Sequence, residues 1–319
     1  MRGSGREAFA RLSAPLAIGA IAIAGILAGG LAPSPLSAAP VALPDQAGWN
    51  DARQLIATPD GQDIAYVELG EDPETASGVP VMLIHGYTDN SRSWSLLAPA
   101  LREALPKRRI LALDLRGHGY SAKPACCYGI DSLAGDVGGL MAALNIEQAD
   151  LVGHSLGSMT AAYLAATRPE KVRRVVLVSS ATRLPAESAA WLWENVPALP
   201  DPIDPDSAFM RDWYANPTPV TEDFLSRERA ESAALPREVW MGVLQSLSAT
   251  DWSSLAPRIT APVAILWGDQ DGLFGAQSQD ELRRALPQAR HQTFEGLGHN
   301  LFWEQPQRAA ETISTFLTD

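Results

Sequence analysis

The sequence predicts an α/β fold: a parallel sheet with helices on both faces and one helical insertion. Short, continuous apolar runs recur along the chain, as expected for strands that are buried on both faces. Segments whose apolar residues are spaced three to four apart lie between those runs. This alternation stops near Thr182 and resumes near Ala261. We therefore assign residues 40–182 and 256–319 to the core and residues 183–255 to a helical cap.

Residues 1–39 differ in character from the rest of the chain. Arg2, Arg6 and Arg11 precede an uncharged apolar run from Ala14 to Ala32, and small residues follow it. That order is typical of a secretory signal peptide and predicts an exported protein, either periplasmic or secreted. The apolar run is close to the ~20 residues that span a bilayer, so an uncleaved N-terminal transmembrane anchor is the alternative.

The first part of the core contains five strand patterns and three helix patterns. Asp131 is suited to cap the second helix, and Pro169 ends the third. We expect strands at 63–70, 79–86, 108–119, 149–155 and 172–180, and helices at 93–105, 131–145 and 156–169.

The insertion contains many prolines, short helical patterns and several tryptophans. Beyond the insertion the alternation of strands and helices returns. We expect strands at 261–271 and 289–296 and helices at 277–287 and 308–319.

Composition excludes some classes of protein. Of 319 residues, 46% are hydrophobic and 19% are charged, which is ordinary for a globular chain. The formal net charge is −12 and no run of Lys or Arg occurs, which argues against a nucleic-acid partner because phosphate binding needs a basic face. Cys126 and Cys127 are adjacent, and the strain of the ring that would join them favours two free thiols. A vicinal or intermolecular disulfide is the alternative, and the spacing does not suit a metal site.

The stretch “DLVGHSLGSMT” places Gly153 and Gly157 two residues on either side of Ser155. A strand pattern precedes the serine and a helix pattern follows it. This is the context of a nucleophile elbow, a sharp turn that exposes the hydroxyl at the carboxyl end of the sheet and needs glycines for room. The alternative is a serine in an ordinary glycine-rich loop. Ser155 is our candidate nucleophile.

A serine nucleophile needs a base and an acid that orients the base. His299 follows the last strand pattern, at the same edge of the sheet as Ser155, although it could instead cap the final helix. The loop “WGDQDGLF” offers Asp269 and Asp271. Asp271 lies farther into the loop and is our candidate acid, whereas Asp269 is expected to shape the turn. The remaining histidines are expected to be structural or to support glycine turns: His85, His118, His154 and His291.

Two backbone N–H groups, those of Tyr87 and Leu156, are the candidate donors of an oxyanion hole. Tyr87 follows “LIHG”, and Leu156 follows the nucleophile. We also expect tryptophans to line an apolar substrate pocket, although they could instead pack the cap helices on the core. The candidates are Trp94, Trp191, Trp213, Trp240 and Trp303.

Five motifs in this order, “HGYTDNSRSW”, “DLRGHGYS”, “GHSLG”, “WGDQD” and “GLGHN”, resemble those of the α/β-hydrolase fold superfamily, in its capped branch. Each motif is short, but the set is specific and covers nearly everything after residue 50. The resemblance implies an eight-stranded, mostly parallel sheet, no cofactor, and a triad of Ser155, Asp271 and His299. Haloalkane dehalogenases and epoxide hydrolases of this fold carry an aspartate where Ser155 stands, and proline iminopeptidases carry a Gly-Gly-Pro-Gly oxyanion loop. The resemblance therefore favours the esterase, lactonase and cofactor-free haloperoxidase-like groups.

We therefore expect a serine hydrolase that cleaves a carboxylic ester or lactone of a small, largely apolar molecule through an acyl-enzyme on Ser155. A cofactor-free perhydrolase or haloperoxidase-like enzyme would use the same triad. A small-molecule-binding protein on a hydrolase scaffold is the third alternative, since fold and function are separable. We expect no metal, and contact with a membrane only through an uncleaved N-terminal segment.

Overall fold

The computed structural model describes residues 42–319. The expected signal peptide or anchor at residues 1–39 lies outside the described residues. Within 42–319, no helix is both long enough and apolar enough to cross a membrane.

An eight-stranded sheet, in the order β1-β2-β4-β3-β5-β6-β7-β8, forms the centre of the described chain. β2 pairs antiparallel with β1 and with β4, and all other neighbours pair in parallel. The predicted α/β fold with a mostly parallel sheet is therefore confirmed. The strands are β1 (Gln54–Ala57), β2 (Asp63–Glu68), β3 (Val81–Ile84), β4 (Ile110–Leu113), β5 (Ala149–His154), β6 (Val172–Val178), β7 (Val263–Gly268) and β8 (Arg290–Phe294).

The burial of each strand explains how well the sequence pattern reveals it. Every residue of β3, β4 and β5 is buried, which requires the continuous apolar runs seen in the sequence. β1 lies at the edge of the sheet with three of its four residues exposed, and its sequence carries no such run. The sequence patterns consequently predict seven of the eight strands and miss β1.

Six helices of the core follow or flank these strands. α1 packs against α10 and α2 packs against α3, so that two helix pairs cover the sheet. The helices are α1 (Ala98–Ala104), α2 (Ile130–Ala143), α3 (Leu156–Thr167), α8 (Ala276–Ala285), α9 (Leu301–Glu304) and α10 (Pro306–Thr318).

Four helices lie between β6 and β7, in the segment that we call the insertion (residues 183–255). An isolated bridge pairs Arg183 with Asp251, so the two ends of the insertion meet. α4 contacts α7, and α5 contacts α6. That the insertion caps a substrate site stays a prediction. Its helices are α4 (Ala186–Asn195), α5 (Ala208–Trp213), α6 (Glu222–Ala233) and α7 (Arg237–Ala249).

A buried ionic network ties α6 of the insertion to the core. Glu231 Oε1 lies 2.5 Å from Arg92 Nη2, and Glu231 Oε2 accepts a 2.8 Å hydrogen bond from Asn90 Nδ2. Arg53 Nη2 reaches the same carboxylate at 3.5 Å, while Arg53 Nε lies 2.9 Å from Asp114. Breaking a buried pair leaves an uncompensated charge, which is strongly destabilising. The network therefore holds α6 against the loop that follows β3.

Cys126 and Cys127 form a vicinal disulfide in the loop between β4 and α2. The expectation of two free thiols is therefore wrong. Cys127 has a left-handed φ of 72°, which residues other than glycine rarely adopt. Arg116 donates a 3.0 Å hydrogen bond to the carbonyl of Cys127 and supports this conformation.

Candidate active site

Ser155 lies on a strained turn between β5 and α3. Its backbone has φ 52° and ψ −118°, a conformation that residues other than glycine rarely adopt and that costs on the order of 1–3 kcal/mol. A Cβ atom at Gly153 would lie 2.2 Å from the carbonyl oxygen of Gly157, and one at Gly157 would lie 2.1 Å from that of Ile84. Both glycines are needed because the turn packs backbone against backbone, in its own loop and against β3.

His299 and Asp271 form a close pair at the same edge of the sheet. Nδ1 of His299 lies 2.9 Å and 3.0 Å from the two carboxylate oxygens of Asp271. Asp271 Oδ1 also accepts hydrogen bonds from the N–H groups of Leu273 (2.9 Å) and Phe274 (3.0 Å). Burial acts to raise the pKa of the Asp271 carboxyl, but His299 and these N–H groups outweigh it, so the pKa is lowered. Asp271 is thus held as a carboxylate against the imidazole.

Asp269 and Asp271, in the loop after β7, have different hydrogen-bond partners. Asp269 Oδ1 accepts a 2.7 Å hydrogen bond from the N–H of Gly296 and so stabilises the turn after β8. Asp271 faces His299. The backbone of His299 is held in turn, because its carbonyl accepts hydrogen bonds from Ser179 Oγ (2.7 Å) and His154 Nε2 (3.1 Å).

Ser155 and His299 line one cavity of about 560 Å³. Loops at the carboxyl edge of the sheet form one side of the cavity and the insertion forms the other. Clefts of this size bind small organic molecules. Its apolar wall includes Leu184, Leu192, Leu247, Leu273 and Phe274.

Of the two candidate oxyanion donors, one belongs to a residue that lines this cavity and the other to the residue directly after Ser155. Tyr87 lines it, and Leu156 is the first residue of α3, next to Ser155. Within residues 42–319, neither the N–H of Tyr87 nor that of Leu156 donates a hydrogen bond to another protein group. The Tyr87 hydroxyl donates a 2.6 Å hydrogen bond to the carbonyl of Trp240, which fixes the loop after β3. Both N–H groups are therefore available to a ligand oxygen.

Three of the five candidate pocket tryptophans, Trp191, Trp213 and Trp303, line the cavity. Trp94 and Trp240, the other two candidates, do not line this cavity. Trp94 is fully buried, and its ring centre lies 4.6 Å from that of Phe302. Trp240 is 1% exposed, packs its ring against Tyr87 and Phe209, and donates its Nε1–H to Ser232 O at 3.3 Å. These two rings pack the protein interior, the role that the sequence left open as the alternative.

Sequence reasoning missed Asp89 as a residue of the site. Asp89 lines the cavity although its side chain is buried, and its Oδ1 accepts a 3.1 Å hydrogen bond from the Tyr214 hydroxyl. Burial raises the pKa of the Asp89 carboxyl to about 7, against the lowering effects of Tyr214, His299 and the Gly86 backbone. Its position two residues after Tyr87, a candidate oxyanion donor, was the available signal.

The remaining histidines are buried or peripheral. His85 Nε2 accepts a 2.8 Å hydrogen bond from the N–H of Leu115, and burial lowers the pKa of both His85 and His118. His291 lies on β8, away from the cavity. In the part of the chain that the structure describes, no three His, Cys, Asp or Glu side chains are grouped to hold a metal ion.

The chain is similar to known proteins over most of its described length. Residues 79–306 match the family described as the alpha/beta hydrolase fold. The chain is 29% identical over 265 residues to a 2-hydroxymuconate semialdehyde hydrolase of Pseudomonas sp. strain CF600, covering 77% of this chain and 89% of the relative. It is 29% identical over 256 residues to a 2-(acetamidomethylene)succinate hydrolase of Mesorhizobium japonicum, covering 76% and 90%. Among solved structures, it resembles the enol-lactonase from Burkholderia xenovorans LB400, with a TM-score of 0.68 and 25% identity over 83% of this chain and all of the other.

Proposed function

Because the chain belongs to the α/β-hydrolase fold family, as its motifs predict, we propose that it is a serine hydrolase that cleaves a carboxylic ester or lactone. The substrate is a small, largely apolar molecule, and the reaction passes through an acyl-enzyme on Ser155. The observation that carries this proposal is that Ser155, on its strained turn, shares a cavity with His299, whose Nδ1 lies 2.9 Å from the carboxylate of Asp271. Relatives named as hydrolases support the same class of reaction.

In the proposed first step, the Ser155 hydroxyl oxygen attacks the substrate carbonyl carbon while Nε2 of His299 takes the hydroxyl proton. Asp271 binds Nδ1–H, which leaves Nε2 unprotonated and able to act as a base. The N–H groups of Tyr87 and Leu156 stabilise the oxyanion that forms. Loss of one such donor typically costs on the order of 3 kcal/mol of transition-state stabilisation.

In the following steps, His299 passes the proton to the leaving alcohol as the tetrahedral intermediate collapses to the acyl-enzyme. His299 then takes a proton from water, whose oxygen attacks the acyl carbon. Collapse of the second intermediate releases the acid and returns the proton to Ser155. With a lactone, the alcohol stays attached to the acyl group, and the product is one hydroxy acid.

Turnover of p-nitrophenyl butyrate by the wild type and by Ser155→Ala tests the proposal. We expect Ser155→Ala to lower kcat by on the order of 10⁴-fold or more, because the nucleophile is lost. Ser226→Ala, which changes an exposed serine on α6, serves as the matched control and should keep full activity. Substantial activity in folded Ser155→Ala would point to another nucleophile and contradict the proposal.

We further propose export through residues 1–39, as the basic and apolar pattern of that segment predicts. Intact-mass measurement of protein recovered from the periplasm or medium tests it. A mass that lacks the segment supports cleavage of a signal peptide. The full mass in the membrane fraction would support the anchor instead, and the full mass in the cytosol would contradict export.

A further inference from the structure

The charged groups on the cavity wall are unevenly distributed. Three carboxyl side chains line the cavity, those of Asp89, Glu187 and Asp212. Within residues 42–319, no Lys or Arg side chain lines it. Glu187 and Asp212 are exposed and so lie at the outer part of the cavity. The arginines nearest to them in sequence are Arg183 and Arg211, and these pair with other acids. The outer part of the cavity therefore carries uncompensated negative charge.

Of these three carboxyls, that of Asp89 is buried and lies beside His154 and Gly86. Its Oδ2 lies 3.8 Å from Nδ1 of His154, the residue that precedes the candidate nucleophile. A Cβ atom at Gly86 would lie 3.0 Å from the same carboxylate oxygen. Gly86 immediately precedes Tyr87, whose N–H is a candidate oxyanion donor. Asp89 therefore lies beside the residues that directly precede the candidate nucleophile and a candidate oxyanion donor, so a charge on Asp89 acts on this end of the cavity.

The groups that face Asp89 do not neutralise a negative charge on it. His154 donates Nε2–H to the carbonyl of His299, so Nδ1 faces Asp89 as an acceptor. Burial also lowers the pKa of His154 well below its ordinary value and keeps the ring uncharged. Glu228 on α6 adds a second buried carboxyl near Asp89.

Tyr214, His299 and the Gly86 backbone also act on Asp89, each lowering the pKa of its carboxyl. The Tyr214 hydroxyl donates a hydrogen bond to Asp89. His299 lowers the pKa of Asp89, but its Nδ1 is bound to the carboxylate of Asp271. The nearby arginines Arg53 and Arg92 pair with Asp114 and Glu231.

We propose that the cavity selects substrates by charge: it accepts uncharged or cationic esters and lactones and rejects those that carry a carboxylate, and Asp89 sets this selection at the reacting end. This inference rests on the proposed function and deepens it. The relatives named above are hydrolases of a semialdehyde and of a succinate derivative, and a succinate carries carboxylates. Recognition of such an anion needs a cationic partner, which the described wall of this cavity does not supply.

The aromatic residues at the outer part of the cavity fit the same selection. The rings of Trp191, Phe209 and Trp213 lie nearly parallel, with centres 5.7–6.2 Å apart. Trp191 and Trp213 line the cavity together with Glu187 and Asp212. Aromatic faces beside carboxylates attract cations and apolar groups and disfavour anions.

A pair of substrates that differ in charge at one end tests the proposal. The two are mono-p-nitrophenyl glutarate, which is an anion, and its methyl ester, which is uncharged. For the wild type at pH 8, we expect kcat/KM to favour the methyl ester by on the order of 30-fold, the effect of one nearby charge in a partly polar site. As the pH falls below about 7, where Asp89 gains its proton, this ratio should shrink.

Asp89→Asn keeps the shape of the side chain and removes its charge, so it should reduce the ratio to a few-fold and make it nearly independent of pH. Glu194→Gln, at an exposed carboxylate on α4 away from the cavity, is the matched control and should leave the ratio unchanged.

Equal turnover of the two esters by the wild type would overturn the proposal. An unchanged ratio in folded Asp89→Asn would overturn the role of Asp89. If that variant does not fold, a wild-type ratio that stays constant from pH 5.5 to 8 overturns the same role. Failure of the proposed function gives a different result, since neither ester would then be hydrolysed.

Discussion

Replacement of Asp271 by asparagine removes one charge from the site and reverses one hydrogen bond. In Asp271→Asn, the amide oxygen can keep the hydrogen bonds that Oδ1 now accepts from the N–H groups of Leu273 and Phe274. The amide NH₂ then occupies the position of Oδ2, 2.9 Å from Nδ1 of His299. Because that group donates, Nδ1 must become the acceptor and the ring proton moves to Nε2. A protonated Nε2 cannot take the proton of Ser155.

We expect kcat for p-nitrophenyl butyrate to fall by on the order of 10⁴-fold in Asp271→Asn, the size of the loss when the orienting aspartate of a serine protease is changed to asparagine. This loss corresponds to about 5 kcal/mol of activation free energy. Thermal unfolding followed by circular dichroism checks that the variant is folded. Asp269→Asn is the matched control, since Asp269 Oδ1 accepts a hydrogen bond from Gly296 N–H that an asparagine oxygen can also accept. More than a tenth of wild-type activity in Asp271→Asn, or an equal loss in Asp269→Asn, would refute this reasoning.

Three further predictions concern packing and buried charge. Gly157→Ala should lower the yield of folded protein and its Tm, because the new Cβ would lie 2.1 Å from a carbonyl oxygen of β3. Gly135→Ala, the control, has open space around it on α2 and should raise stability by about 0.5–1 kcal/mol. Equal Tm values for the two variants would contradict this prediction. Trp94→Ala should lower the free energy of unfolding, measured with a chemical denaturant, by about 3–5 kcal/mol and should change KM little. Trp191, 39% exposed, lines the cavity, so Trp191→Ala should mainly raise KM. The reverse pattern would show that Trp94 contacts the substrate. Burial, together with Asp89 and Glu231, raises the pKa of Glu228 well above its ordinary value, so the wild type should lose stability relative to Glu228→Gln as the pH rises. At pH 8 the variant should be more stable by at least about 1 kcal/mol, with the two proteins converging near pH 4, and a pH-independent difference would contradict this sign.

Burial decides which strands can be predicted from the sequence. β3, β4 and β5 are covered on both faces, so each needs an unbroken apolar run, and such runs are visible without a structure. β1 is short and exposed at the edge of the sheet, and its pairing with β2 depends on backbone hydrogen bonds that any residue can make.

Part of the candidate site also follows from the order of motifs along the chain. In parallel strands the loops at the carboxyl ends meet, which is why residues as distant as Ser155 and His299 can be expected at one cavity. The direction in which a ring points is not encoded in this way: Trp94 is the last residue of the motif “HGYTDNSRSW”, yet its ring packs inward on Phe302.

Asp89 was missed because its surroundings come from distant parts of the chain. It acquires its role from Tyr214 in the insertion and from His154 at the end of β5. No local pattern around residue 89 indicates either contact. Burial by distant segments is what raises its pKa, and that burial exists only in the folded protein.

Labelling with a fluorophosphonate probe tests most directly the central claim, that Ser155 is a nucleophile activated by His299. We expect one adduct per folded molecule, located by peptide mass spectrometry on the segment that contains Ser155, and a strong loss of labelling in His299→Ala. An unlabelled wild type, or an adduct at a residue other than Ser155, would contradict the account.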